Sequence, residues 1–137
     1  MTRSGEHGLS LFIRHDSDVT TAQIRAQKLA RDEGLPEAPA AALATAVSEL
    51  ARNALVHAGS GEFHLSVTDE GGRRCIIAVV SDDGPGITDT ERALEDGYSS
   101  TRTLGLGLPS ARRLVDELDV VSIVGKGTTV TVKKWLP

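Results

Sequence analysis

The sequence predicts an α+β domain, a two-layer α/β sandwich in which helices cover one face of a mixed sheet. Three observations carry that prediction. Apolar residues recur at helical spacing in two long segments between residues 17 and 58. A continuous apolar run, Cys75 to Val80, suits a central strand buried on both faces. Two glycine turns, Gly71-Gly72 and Gly125-Lys126-Gly127, fold flanking strands back on themselves.

In chain order, residues 1–8 are polar and read as a flexible lead-in, with residues 9–137 as a single domain. Leu9 to His15 is a first strand with Leu11 and Ile13 on one face. Ser17 or Asp18 caps a helix that runs to about Glu33 and stops at Gly34. Pro36 and Pro39 open a longer helix through Ala58, followed by Gly59. Phe63, Leu65 and Val67 alternate with polar residues up to the Gly71-Gly72 turn. Residues 82–107 are polar and rich in glycine, too long for an ordinary connection, and read as a functional loop. A helix from Leu108 to Leu118 has Pro109 in its first turn, with Leu114, Val115 and Leu118 facing inward. Val120–Val124 and Thr128–Leu136 close the chain as a hairpin.

Composition narrows the function. Lys and Arg total 15 against 19 for Asp and Glu, a net charge of −4. No basic surplus exists for gripping nucleic-acid phosphate, although backbone amides and a metal ion can still neutralise a small nucleotide. Aromatic residues make up 3%, so the core is aliphatic. The single cysteine, Cys75, excludes a disulfide scaffold and a four-cysteine zinc site. The four histidines show no metal-ligand spacing. No run approaches about 18 apolar residues, and Met1–His7 lacks the apolar stretch of a signal peptide, so the sequence reads as cytoplasmic.

Four motifs could carry chemistry. Glu49 and Asn53, four apart in the second helix, stand on one side at the edge of the stripe Leu43, Val47, Leu50 and Ala54. Alone they read first as a solvated Glu–Asn pair. Asp82-Asp83-Gly84-Pro85-Gly86-Ile87 follows the apolar strand and offers a carboxylate to an exocyclic amine, or is simply a turn. Gly105-Leu106-Gly107-Leu108 opens a helix, where main-chain N–H groups can meet a phosphate; the bland reading is a flexible connection. Gly125-Lys126-Gly127-Thr128 reads first as a hairpin, and it is no Walker A loop, since Val120 stands where the first glycine belongs.

The order of these motifs is more telling than any one. E-x-x-x-N, D-x-G-x-G, G-x-G-L and G-x-G-T in succession resemble the GHKL, or Bergerat-fold, ATP-binding superfamily across residues 10–136. The resemblance implies ATP and Mg²⁺ as cofactors. It implies Glu49 as general base and Asn53 as the Mg²⁺ ligand. Asp82 and Thr128 would serve the adenine amine, with Gly84 and Gly86 giving the base room and Ile87 packing on it. Gly105, Gly107 and Leu108 would lie at the phosphates, and Arg102 would reach the γ-phosphate.

Within the superfamily, a length of 137 residues leaves no room for a transducer domain or a dimerising helix pair. That length and the stretches Ser48-Glu-Leu-Ala-Arg-Asn53, Glu95-Asp-Gly-Tyr-Ser-Ser-Thr-Arg102 and Lys134-Trp-Leu resemble the RsbT-type switch kinases of bacterial partner-switching and stressosome systems. The resemblance implies a serine/threonine kinase that phosphorylates a STAS-domain antagonist and, once released, activates a downstream phosphatase by binding. Nucleic acid and membrane are not among the implied partners. The run Asn53-Ala-x-x-His57 is similar to the anti-sigma kinases of the RsbW and SpoIIAB type, whose partner is a sigma factor. A nucleotide-switched binding module and a detached histidine-kinase catalytic domain are the remaining alternatives.

Overall fold

Helix α1 (Asp16–Asp32) buries Val19, Ala22, Ala26 and Ala30, a stripe of mostly small side chains. It lies chiefly against α2 (Glu37–Ala58), whose buried face is also rich in alanine. Small residues on both sides let the two helices approach closely. The computed structural model describes residues 8–87 and 108–137.

The start of α1 differs from the sequence expectation. His15, with extended backbone, is the N-cap, and neither Ser17 nor Asp18 fills that place. Asp18 sits in the first turn, where its carboxylate accepts from the main-chain N–H of Arg14 at 2.9 Å and of His15 at 3.0 Å. Those donors, Arg14 foremost, hold the Asp18 carboxyl below its usual range. At the other end, Gly34 takes φ 101°. Its N–H reaches the carbonyl of Arg31, and that of Leu35 the carbonyl of Ala30, the paired bonds of a Schellman stop. Pro36 then caps α2, which ends at left-handed Gly59 as expected.

Strands β1 (Leu9–Ile13), β2 (Gly61–Glu70), β3 (Arg73–Asp82), β4 (Glu117–Ile123) and β5 (Gly127–Trp135) form one sheet in the order β1-β2-β3-β5-β4. Every pairing among these strands is antiparallel, which corrects the expected mixed sheet. The reason is that the last hairpin inserts β5, not β4, beside β3. The first strand stops at Ile13 rather than His15, because His15 is already capping α1.

Helix α3 (Leu108–Leu114) is shorter than the predicted segment to Leu118. The chain has already joined the sheet by Asp116, whose N–H donates to the Lys133 carbonyl, and Leu118 pairs with Val132 inside β4. The core lies between the helices and one sheet face: Ile13, Phe63, Leu65, Ile76, Ala78, Val80 and Val132 are all buried there. The opposite face is open, with Phe12 53% and Val121 57% exposed. Ile77 and Val79 of β3 are therefore only half-buried, so that strand is fully covered on one face and not on two.

Candidate functional site

The second half of α2, the end of β3, the start of β5 and the start of α3 converge on one cavity. Leu50, Ala54, Val80, Val130 and Leu108 give it apolar walls, Ile87 closes one side, and Asn53, Asp82 and Thr128 supply polar groups. Antiparallel register sets Asp82 directly opposite Thr128. Asn53 reaches the same cavity because it stands at the edge of the buried stripe of α2.

Asp82 is the electrostatic centre. Its Oδ1 accepts from the Gly84 N–H at 2.8 Å, an Asx-type turn that starts the loop. Burial pushes its carboxyl above the usual range; the N–H groups of Gly84 and Thr128 pull the other way, and the neighbouring Asp83 charge adds to the rise. No ion pair neutralises Asp82 among the described residues. It is a half-buried carboxylate with acceptor capacity left over.

The glycines around it are set by close contact. Gly86 has φ 82°, and a Cβ there would come 2.6 Å from the carbonyl oxygen of Ile123. Gly127 has φ 135°, and its Cβ would overlap the carbonyl oxygen of Asp82. Gly84 meets the end of α2 at Ala58. The Gly125 N–H donates to the Pro85 carbonyl at 2.8 Å, which ties the hairpin to the Asp82 loop.

Thr128, 7% exposed, is the buried polar side chain of this wall. Its hydroxyl lies 2.9 Å from the Ser122 hydroxyl, which accepts from the Ile87 N–H at 2.6 Å and is 3.2 Å from the Gly127 carbonyl. If Ser122 donates to Gly127, Thr128 donates to Ser122 and keeps its lone pairs for a ligand. If Ser122 donates to Thr128, the Thr128 proton stays available. In both arrangements Thr128 retains a hydrogen-bonding group for the cavity.

Glu49 stands one turn before Asn53, half-buried, with neither a hydrogen bond nor an ion pair among the described residues. Sequence reasoning missed Ser122 in this region and named His57 without giving it a role in the site. Ser122 holds both Ile87 and Thr128, yet a serine inside a strand carries no signal. His57 follows Glu49 and Asn53 at the same four-residue interval, a visible spacing, and its Nε2 is buried without a hydrogen-bond partner. Of the predicted site residues, Asn53, Asp82, Ile87, Leu108 and Thr128 line the cavity, Gly84 and Gly86 shape the adjoining loop, and Glu49 lies beside it. Arg102, Gly105 and Gly107 lie outside the described residues.

Residues 14–134 match the model of the family described as the histidine kinase-like ATPase domain. The chain belongs to that family. Serine/threonine-protein kinase RsbT of Bacillus subtilis (strain 168) is 36% identical to this ATPase-family chain over 119 residues, 87% of it and 90% of the relative. The anti-sigma F factor of Geobacillus sp. (strain WCH70) is 33% identical over 99 residues, 67% of this chain and 66% of the relative. Among solved structures, the histidine kinase domain from Erythrobacter litoralis EL346 blue-light activated histidine kinase aligns with a TM-score of 0.56 and 25% identity. That alignment covers 88% of this chain and 60% of the solved one. The expected GHKL sandwich is thus the observed fold, and the relatives support an ATP-dependent kinase of the partner-switching class.

Proposed function

We propose that residues 9–137 form one cytoplasmic serine/threonine kinase domain that transfers the γ-phosphate of ATP to a STAS-domain antagonist and, once released, activates a downstream phosphatase by binding. The observation that carries this reading is the convergence of Asp82, Thr128, Asn53 and Ile87 on one cavity, with the unpaired Glu49 a single turn away. No helix among the described residues is long and apolar enough to cross a membrane.

The residues present fit a nucleotide. Asp82 and Thr128 offer an acceptor and a hydroxyl side by side, the pattern an adenine edge with its amine and ring nitrogen requires. Ile87 would pack on the base, with Thr128 and an ordered water nearby. Asn53 supplies an amide oxygen for Mg²⁺. A hard ion there would be carried mainly by phosphate oxygens and water. Such an ion neutralises charge on the transferring phosphoryl group. Gly105, Gly107 and Leu108 would offer main-chain N–H groups to the phosphates, and Arg102 would serve the γ-phosphate. Glu49, with no hydrogen bond or ion pair among the described residues, would take the proton from the attacking serine or threonine hydroxyl.

The RsbT-like reading is preferred to the anti-sigma one because its alignment spans 90% of the relative, against 66% for the anti-sigma F factor. An anti-sigma role requires a sigma factor in a pull-down, whereas an RsbT-like role requires STAS proteins of a stressosome. The deciding experiment incubates the protein with γ-labelled Mg-ATP and STAS proteins of the same organism. The parental chain labels a STAS serine or threonine. Glu49→Ala binds ATP but transfers about 10² to 10⁴ times more slowly. A Glu49→Ala variant that transfers at the parental rate removes Glu49 as the base.

A further inference from the structure

Glu49 lies on a seam between two surfaces of α2. At roughly 100° per residue, Leu50 and Asn53 turn from Glu49 toward the cavity, while Thr45, Arg52 and Val56 turn the other way. The structure follows that geometry: Leu50 is 2% exposed and Val56 65%, and Thr45 and Arg52 are also exposed. Arg52 has neither a hydrogen bond nor an ion pair among the described residues. Glu49, three residues earlier and within range of such a pair, is not taken by it. An exposed aliphatic side chain and an uncommitted guanidinium therefore flank the carboxylate assigned as base.

We propose that Arg52 and Val56 are the docking strip for the acceptor protein, which lays an apolar side chain on Val56 and a carboxylate against Arg52 next to its reacting hydroxyl. This inference rests on Glu49 being the base. The hydroxyl must come within hydrogen-bond reach of Glu49, and the nucleotide fills the Asn53 side of the seam. The rest of the acceptor must then cross the other side of α2, over Arg52 and Val56. At about 1.5 Å of rise per residue the strip runs roughly 10 Å from Glu49 to Val56, well within one protein–protein footprint. The exposed guanidinium of Arg52, beside the reacting centre, selects an acidic group on the partner.

The test is steady-state transfer from Mg-ATP to the STAS protein labelled by the parental chain, using Arg52→Glu and Val56→Asp. Each variant raises KM for the acceptor about tenfold and leaves kcat and KM for ATP within about twofold. The parental KM for the acceptor climbs with ionic strength, and in Arg52→Glu that dependence reverses because salt screens the new repulsion. Unchanged acceptor KM in both variants, with Glu49→Ala inactive, overturns the docking strip and leaves the catalytic reading intact. A fall in kcat at unchanged KM overturns it too, by moving Arg52 into the chemistry. Full transfer by Glu49→Ala instead defeats the reading on which the strip rests.

Discussion

The two ends of β3 carry charge in opposite ways. At the Arg73 end almost every ionised group has a partner. Arg74 pairs with Glu33, the Arg73 guanidinium lies 5.0 Å from the centre of the Trp135 ring, and Lys133 meets both Glu70 oxygens at 3.0 Å. Asp116 serves Lys134 at 3.6 Å and the Trp135 N–H at 2.7 Å. At the other end, half-buried Asp82 is held by main-chain N–H groups, without an ion pair among the described residues. One strand thus has a satisfied end, which adds stability modestly, and an end with bonding capacity left over, where a ligand can contribute.

Gly127→Ala is the harshest way to break that contrast. A Cβ there overlaps the Asp82 carbonyl at a φ of 135°, so strain and overlap together cost about 3 kcal/mol or more. Thermal unfolding should show a much lower Tm, and calorimetry no nucleotide binding. A Tm near the parental value breaks the claim that hairpin and loop are locked together.

Asp82→Asn separates function from stability. It should weaken nucleotide binding by about 1.5–3 kcal/mol, measured by titration calorimetry. Because burial raises the Asp82 pKa, the folded chain holds that proton to higher pH than the unfolded chain. The stability linked to this group is therefore complete at low pH and lost as pH rises through the folded pKa. Asparagine removes that penalty, so Tm at neutral pH should rise while affinity falls. In the parental protein, affinity should begin to drop on acidification at a higher pH than an ordinary aspartate would give. Arg74→Ala, at the paired end, should cost no more than about 1 kcal/mol and leave KM for ATP unchanged.

The helices and turns are legible in the sequence because single residues dictate them. Gly34 and Gly59 adopt left-handed backbone where the helices stop, and Gly71-Gly72 does so in the β2–β3 turn. The stripe Leu43, Val47, Leu50 and Ala54 is buried as its spacing predicts. What escapes are features set by tertiary register. Ser122 matters only because antiparallel pairing puts it opposite Thr128. The end of α3 depends on Asp116 joining the sheet, and the position of β5 depends on which strand of the last hairpin β3 accepts. His15 caps α1 because Asp18 secures the main chain before it, a choice that spacing alone leaves open.

Strand β5 lies between β3 and β4 although it follows both in the chain. A nascent polypeptide that has released β4 but not β5 carries Asp82 on an open sheet edge and lacks Thr128 and Val130. ATP would bind the finished sheet alone, and ligand that binds only the native state adds its binding free energy to that state. For a nucleotide-binding domain wired this way, cellular ATP would act as a late assembly signal.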